Sequence, residues 1–141
     1  MKSRLLRDFR ALALVRGGVV LQGRSFTGYD LPYHLWYDPL QSLAVLVQVD
    51  VEQASVLKAI VPDIERVLPG MPFVLDAMPL EGRANKYRML AVLRKLFEEV
   101  TIGENGPVPV ILILEDVHYA GSESLELLKA LREAISDFPV T

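Results

Sequence analysis

The stretch Val108-Pro-Val-Ile-Leu-Ile-Leu114 carries no polar side chain and then stops abruptly at Glu115-Asp116. A run this short and apolar at every position reads as a strand covered on both faces. Strands of that kind belong to parallel sheets, whose neighbours must be joined by crossover helices. The rest of the chain supplies such elements. From Lys2 to Arg16, the residues Leu5, Leu6, Phe9, Leu12 and Ala13 recur at helical spacing until Gly17-Gly18, which ends the pattern. Val19-Val20-Leu21 lies between glycines and predicts a second buried strand. Pro39 predicts the first turn of a helix that turns Leu40, Leu43, Ala44 and Val47 inward, since proline is tolerated there and not deeper. Pro62 divides Val51–Leu68 into two helical pieces, and Pro69-Gly70-Met71-Pro72 closes that region as a turn. A long helix follows from about Ala84 to Val100, with Tyr87, Leu90, Leu93, Leu96 and Phe97 on its apolar face. Beyond the acidic pair, Ser122 suits the cap of a helix running to about Ser136, with Leu125, Leu128, Ala130 and Leu131 facing in. Phe138-Pro139-Val140-Thr141 reads as the entry to one more strand. Strands alternating with helices define an α/β chain.

Composition narrows the function classes. The 141 residues hold 15 Lys and Arg against 18 Asp and Glu, so no basic excess draws in nucleic acid. With no cysteine, a disulfide scaffold and any Cys-based zinc site or nucleophile are excluded, and a reducing cytoplasmic setting is expected. The longest apolar stretches, Ala11–Val15 and Val108–Leu114, fall short of the ~18–20 residues a membrane span needs. A mean hydropathy of +0.28 points to apolar faces meant for neighbours. Phe26, Tyr29, Tyr33, Trp36 and Tyr37 crowd five of the eleven aromatics into one loop; without flanking basic residues they read as pins to the core rather than a base-stacking groove.

The chemistry lies at the end of the apolar run. Burying a carboxylate costs several kcal/mol unless it is paired or binds a metal, and ligands of open α/β sheets sit at the carboxyl ends of strands. Ile111–Leu114 followed by Glu115-Asp116 therefore matches a Walker B pattern, in which one acid holds Mg²⁺ and a second polarises the attacking water. His118 is a candidate for ordering the loop beside them; His34 reads as packing.

The continuation Glu115-Asp116-Val117-His118-Tyr119-Ala120, with Ser122, Ser124, Leu125, Leu127, Leu128, Ala130 and Leu131, resembles the AAA/STAND class of P-loop NTPases in bacterial signalling proteins. LuxR-type activators and kinase- or cyclase-fused ATPases carry such modules. Lys2-Ser3-Arg4-Leu5-Leu6 resembles the tail of their phosphate-binding motif, with Met1 where the last glycine stands. Leu21-Gln22-Gly23-Arg24 resembles the second strand and its exit. Leu31-Pro32-Tyr33-His34-Leu35-Trp36 resembles the proline-aromatic loop, and Arg88-Met89-Leu90 the helix before Walker B. The resemblance implies a partial three-layer P-loop fold spanning residues 1–141, from the end of Walker A to just past the helix after Walker B, with the first and later strands missing. It implies that Lys2 contacts the β- and γ-phosphates of ATP and Ser3 ligates Mg²⁺, while Glu115 holds the Mg²⁺ shell and Asp116 orients water. Output and sensor domains, and an oligomer, would be its partners. Without the glycine-rich backbone that wraps phosphate, the chain alone is expected to bind ATP weakly and not to hydrolyse it. Glu115 stands where Asp is common and Gly121 where Asp is frequent. Two other readings compete: a non-catalytic α/β module working through helix contacts, and a helicase core suggested by Glu115-Asp116-Val117-His118, which the absence of a basic groove disfavours.

Overall fold

The structure, a computed structural model, describes residues 2–28, 32–71, 73–103 and 106–141, and of residues 2 and 3 the backbone alone. Tyr29, Leu31 and Pro72, all named above, lie outside the described residues, as do Met1 and the side chains of Lys2 and Ser3. The chain order is α1 (Lys2–Val15), β1 (Val19–Arg24), α2 (His34–Leu46), α3 (Val51–Leu57), a 3-10 turn (Ile64–Arg66), α4 (Arg83–Thr101), β2 (Ile102–Gly103), β3 (Gly106–Pro107), β4 (Val110–Glu115), a second 3-10 turn (Val117–Tyr119) and α5 (Ser122–Ala134). The fold is mixed α/β around a short parallel sheet.

β1 and β4 pair in parallel from Val19↔Val110 through Leu21↔Leu112 to Arg24↔Glu115. The chain end completes the other side of β4: Val140 bridges Val110 in parallel. Leu112 N donates to Thr141 O at 2.8 Å and Thr141 N to Val110 O at 2.9 Å. The strand entry expected at residues 138–141 is thus present, and β4 has a parallel neighbour on each side. β2 and β3 form a small antiparallel hairpin that the sequence reading does not contain.

Parallel partners share a face, and side chains alternate along each strand. One face of the sheet therefore presents Leu21, Leu112 and Leu114, the other Val20, Gln22, Arg24, Ile111, Ile113 and Glu115. The first packs on α2 and α5, with α4 behind them. Trp36, fully buried, donates Nε1–H to the Ser124 carbonyl at 3.0 Å and ties α2 to α5. Leu35, Leu40, Leu43, Leu93, Leu96 and Phe97 close the same core. The expected aromatic loop is shorter than its composition implies: Trp36 and Tyr37 belong to α2, where Tyr37 donates its hydroxyl to Asp63 Oδ1 at 2.6 Å, and Phe26 is exposed.

Several expectations are corrected. Pro39 sits at the sixth position of α2, not in its first turn. Its missing N–H leaves the Leu35 carbonyl without an i+4 donor, and Gly23 gives that site room. A Cβ on Gly23 would lie 2.8 and 2.9 Å from Pro39 ring carbons, and closer still to the Leu35 oxygen. The second piece of Val51–Leu68 is a single 3-10 turn, while the first is fixed by an Asp50–Gln53 capping box. Tyr87 points to solvent, and Met89 takes its place in the α4 core face. On α5, Leu127 rather than Leu125 faces in, and Gly121, not Ser122, occupies the N-cap without a side-chain bond. β4 is covered less fully than its composition implies. Val110 and Ile113 are buried, whereas Ile111, Leu112 and Leu114 are half-buried. A cavity of about 610 Å³ between β4 and α5 accounts for Leu112 and Leu114. Finally, among the described residues α1 buries only Ala13; Leu5 is 70% exposed, with Phe9 and Leu12 also exposed. Among the described residues, no helix is long and apolar enough to cross a membrane.

Candidate functional site

The register Arg24↔Glu115 is the fact from which the site follows. Parallel partners share a face, so a guanidinium at the exit of β1 lies beside the carboxylate at the exit of β4. Arg24 Nη2 is 3.3 Å from Glu115 Oε2, and the Gln22 amide donates to the same oxygen at 3.1 Å. With its side chain 15% exposed, Glu115 is a partly buried carboxylate. Such a group needs a counter-charge and hydrogen bonds, and these two neighbours provide both.

Asp116 reaches the same arginine by a different device. In continued extended chain it would point to the opposite face. Instead it adopts φ 54°, ψ 39°, a left-handed conformation that Asp tolerates better than most residues. Its Oδ2 lies 3.2 Å from Arg24 Nε. The guanidinium of Arg24 therefore spans both acids. The 3-10 turn that follows sets His118 against Tyr119, ring centroids 4.0 Å apart and tilted by 45°, and both residues are exposed. His34 opens α2 and is half-buried, consistent with packing.

α1 covers this charged face of the sheet. Leu6, Arg7 and Arg10 line a cavity of about 240 Å³ together with Gln22, Arg24 and Glu115. The side chains of Lys2 and Ser3 lie outside the described residues, so the acid pair is placed while its expected phosphate-binding partners are not. As a Mg²⁺ site the acids suit a shared role. Among the described residues no group of three or more His, Asp or Glu could hold an ion. Mg²⁺ held with a nucleotide, however, takes only one or two carboxylates, the remainder being phosphate oxygens and water. Glu115 and Asp116 fit that donor set, with Arg24 as the competing cation.

The arginines are what the sequence reading missed. In the sequence Arg24 marks only the exit of a strand, and Arg7 and Arg10 carry no functional signal. The signal that would have found Arg24 is the pairing of β1 with β4 in register. Comparisons with protein-family models, curated proteins and solved structures match none of them.

Proposed function

We propose that the chain carries the acidic side of a nucleotide site, within an ATP-binding switch domain of the AAA/STAND class of P-loop NTPases. The observation that carries this reading is the pair Glu115 and Asp116 at the carboxyl end of β4, a strand with parallel neighbours on both sides. That position is where open α/β sheets bind ligands. In this reading Glu115 holds the Mg²⁺ shell and Asp116 orients the water that attacks the γ-phosphate. Lys2 and Ser3 take the phosphate and metal contacts. Mg²⁺, when bound with ATP, supplies charge neutralisation of the phosphates. The bound nucleotide biases a conformational equilibrium that output and sensor domains read.

The test is equilibrium binding of labelled ATP with Mg²⁺ or with EDTA. Glu115→Gln is expected to weaken Mg²⁺-dependent binding about tenfold or more, that is ~1.4 kcal/mol, and to leave the EDTA arm unchanged. Asp116→Asn is expected to bind Mg·ATP as well as the native chain. In a chain that also carries a phosphate loop ahead of Lys2, the same variant should hydrolyse far more slowly, because only the transition state needs that carboxylate. Binding indifferent to Mg²⁺ and to Glu115 would sink the reading. A second reading, a non-catalytic module that works by helix contacts, is favoured by the exposed Leu5, Phe9 and Leu12 of α1.

A further inference from the structure

Three guanidiniums and one carboxylate line the cavity between α1 and β1. Arg24 is engaged by Glu115 and Asp116. Arg7 and Arg10, among the described residues, make no ion pair or hydrogen bond. Glu115 therefore does not explain them: Arg24 and Gln22 already satisfy it. Placed three residues apart on α1, Arg7 and Arg10 rise from adjacent turns with Cβ atoms ~5–6 Å apart. They flank a recess closed on the far side by β1. The adjoining depression past Arg10 and Arg24 adds Phe26, Asp38, Gln41 and Ser42, so one further carboxylate stands at the rim. Glu115, Asp116 and Asp38 stand against the three guanidiniums, but the two that no carboxylate engages, Arg7 and Arg10, lie side by side in one concave place where an anion can reach both.

We propose that this recess is a metal-independent site for a short phosphate chain, held by Arg7 and Arg10 with Arg24 as the third contact. Guanidinium forks match phosphate oxygens bidentately. The recess, of about 240 Å³, has room for a short phosphate chain. Binding draws Arg24 toward the phosphates and away from Asp116. The site borders Glu115, the acid of the Walker B reading, but needs neither Lys2, Ser3 nor Mg²⁺, so the two are distinguished by their dependence on the metal.

The experiment titrates inorganic triphosphate into the full chain by calorimetry at low ionic strength in EDTA. ATP in the same buffer is the second arm. Saturable binding is expected, with ATP no tighter than triphosphate because only the phosphate chain is read. Affinity should fall as salt rises. Arg7→Ala with Arg10→Ala should weaken it at least tenfold; both side chains are exposed on a helix, and alanine preserves helical structure. A matched thermal unfolding curve checks that the double variant is folded. Lys95→Ala with Arg132→Ala removes equal charge elsewhere and should leave affinity unchanged, while Glu115→Gln should hold or tighten it by removing a repelling carboxylate. Four results would each overturn the proposal. They are no binding by the native chain, native affinity in the Arg7/Arg10 double variant, ATP bound far more tightly than triphosphate, and binding that requires Mg²⁺ and is lost in Glu115→Gln. The last would also leave the nucleotide reading standing while this one fails.

Discussion

The two faces of the β1–β4 sheet are made by the same two strands and serve opposite ends. Toward α2 and α5 the strands present Leu21, Leu112 and Leu114 to Trp36 and Leu131, and burial supplies the stability. Toward α1 they present Gln22, Arg24 and Glu115 beside Arg7 and Arg10. Among the described residues, Arg24 on that face is paired with Glu115 and Asp116 while Arg7 and Arg10 stand unpaired, and α1 itself buries only Ala13. Because side chains alternate along a strand, one apolar face is enough to fix register. The other face is then free to hold groups that would be too costly in a core. Substitutions on the two faces should differ in kind as well as in size.

The largest effect is expected on the apolar face. Trp36→Ala removes a fully buried side chain and leaves the Ser124 carbonyl without its donor. A loss of ~4 kcal/mol is expected, a large share of a domain's ~5–15 kcal/mol, read as a lower urea midpoint. An unfolding midpoint close to native would mean that α2 and α5 are not joined through Trp36.

The next effect lies at the seam between sheet and α2. Gly23→Ala places a methyl group against Pro39 and the Leu35 carbonyl, so α2 must move off β1. Overpacking of this kind costs ~1–3 kcal/mol. Native stability in this variant would show that α2 is less closely seated than the structure has it.

A smaller change is expected on the charged face. Arg24→Gln breaks two ion pairs made by a side chain 47% exposed, and pairs that solvent reaches contribute little, ~1 kcal/mol here for both together. Its signature is local: the amide resonances of Glu115 and Asp116 should shift while the core stays unmoved. A loss as large as that of Trp36→Ala would erase the distinction between the faces.

What the sequence made legible follows the same division. The strand at Val108–Leu114 and the helix ending near Val100 were readable because periodicity records burial, which is a property of each segment by itself. The acid pair was readable for the related reason that two carboxylates after an apolar run break that pattern. Pro39 inside α2 was not readable, because the compensation comes from Gly23, in a different element. The grip of Arg24 on Glu115 and Asp116 was hidden twice over: it depends on the pairing of β1 with a strand some ninety residues later, and on the left-handed backbone at Asp116. Likewise, the helical spacing of Leu5, Phe9 and Leu12 told which side of α1 is apolar but not that the sheet would leave it uncovered.

The smallest effect sharpens the comparison by testing a polar tie within the apolar layer. Tyr37 joins α2 to the turn at Asp63 through a bond of 2.6 Å. That bond, with some burial and the charge of Asp63, raises the Tyr37 hydroxyl from its ordinary value near 10 to about 12. The sign follows from linkage. A proton held more tightly in the folded chain than in the unfolded one stabilises the fold at every pH below the unfolded value. That contribution is lost as pH climbs from 10 toward 12, because the unfolded tyrosine ionises first. Tyr33, also raised, chiefly by burial, adds a slope of the same sign. Tyr37→Phe should therefore cost ~1 kcal/mol or less near neutrality, and stability measured by urea should decline less steeply between pH 10 and 12 than in the native chain. An unchanged alkaline slope would mean that the Tyr37–Asp63 bond does not persist in solution. The connection of α2 to the turn would then rest on apolar packing alone.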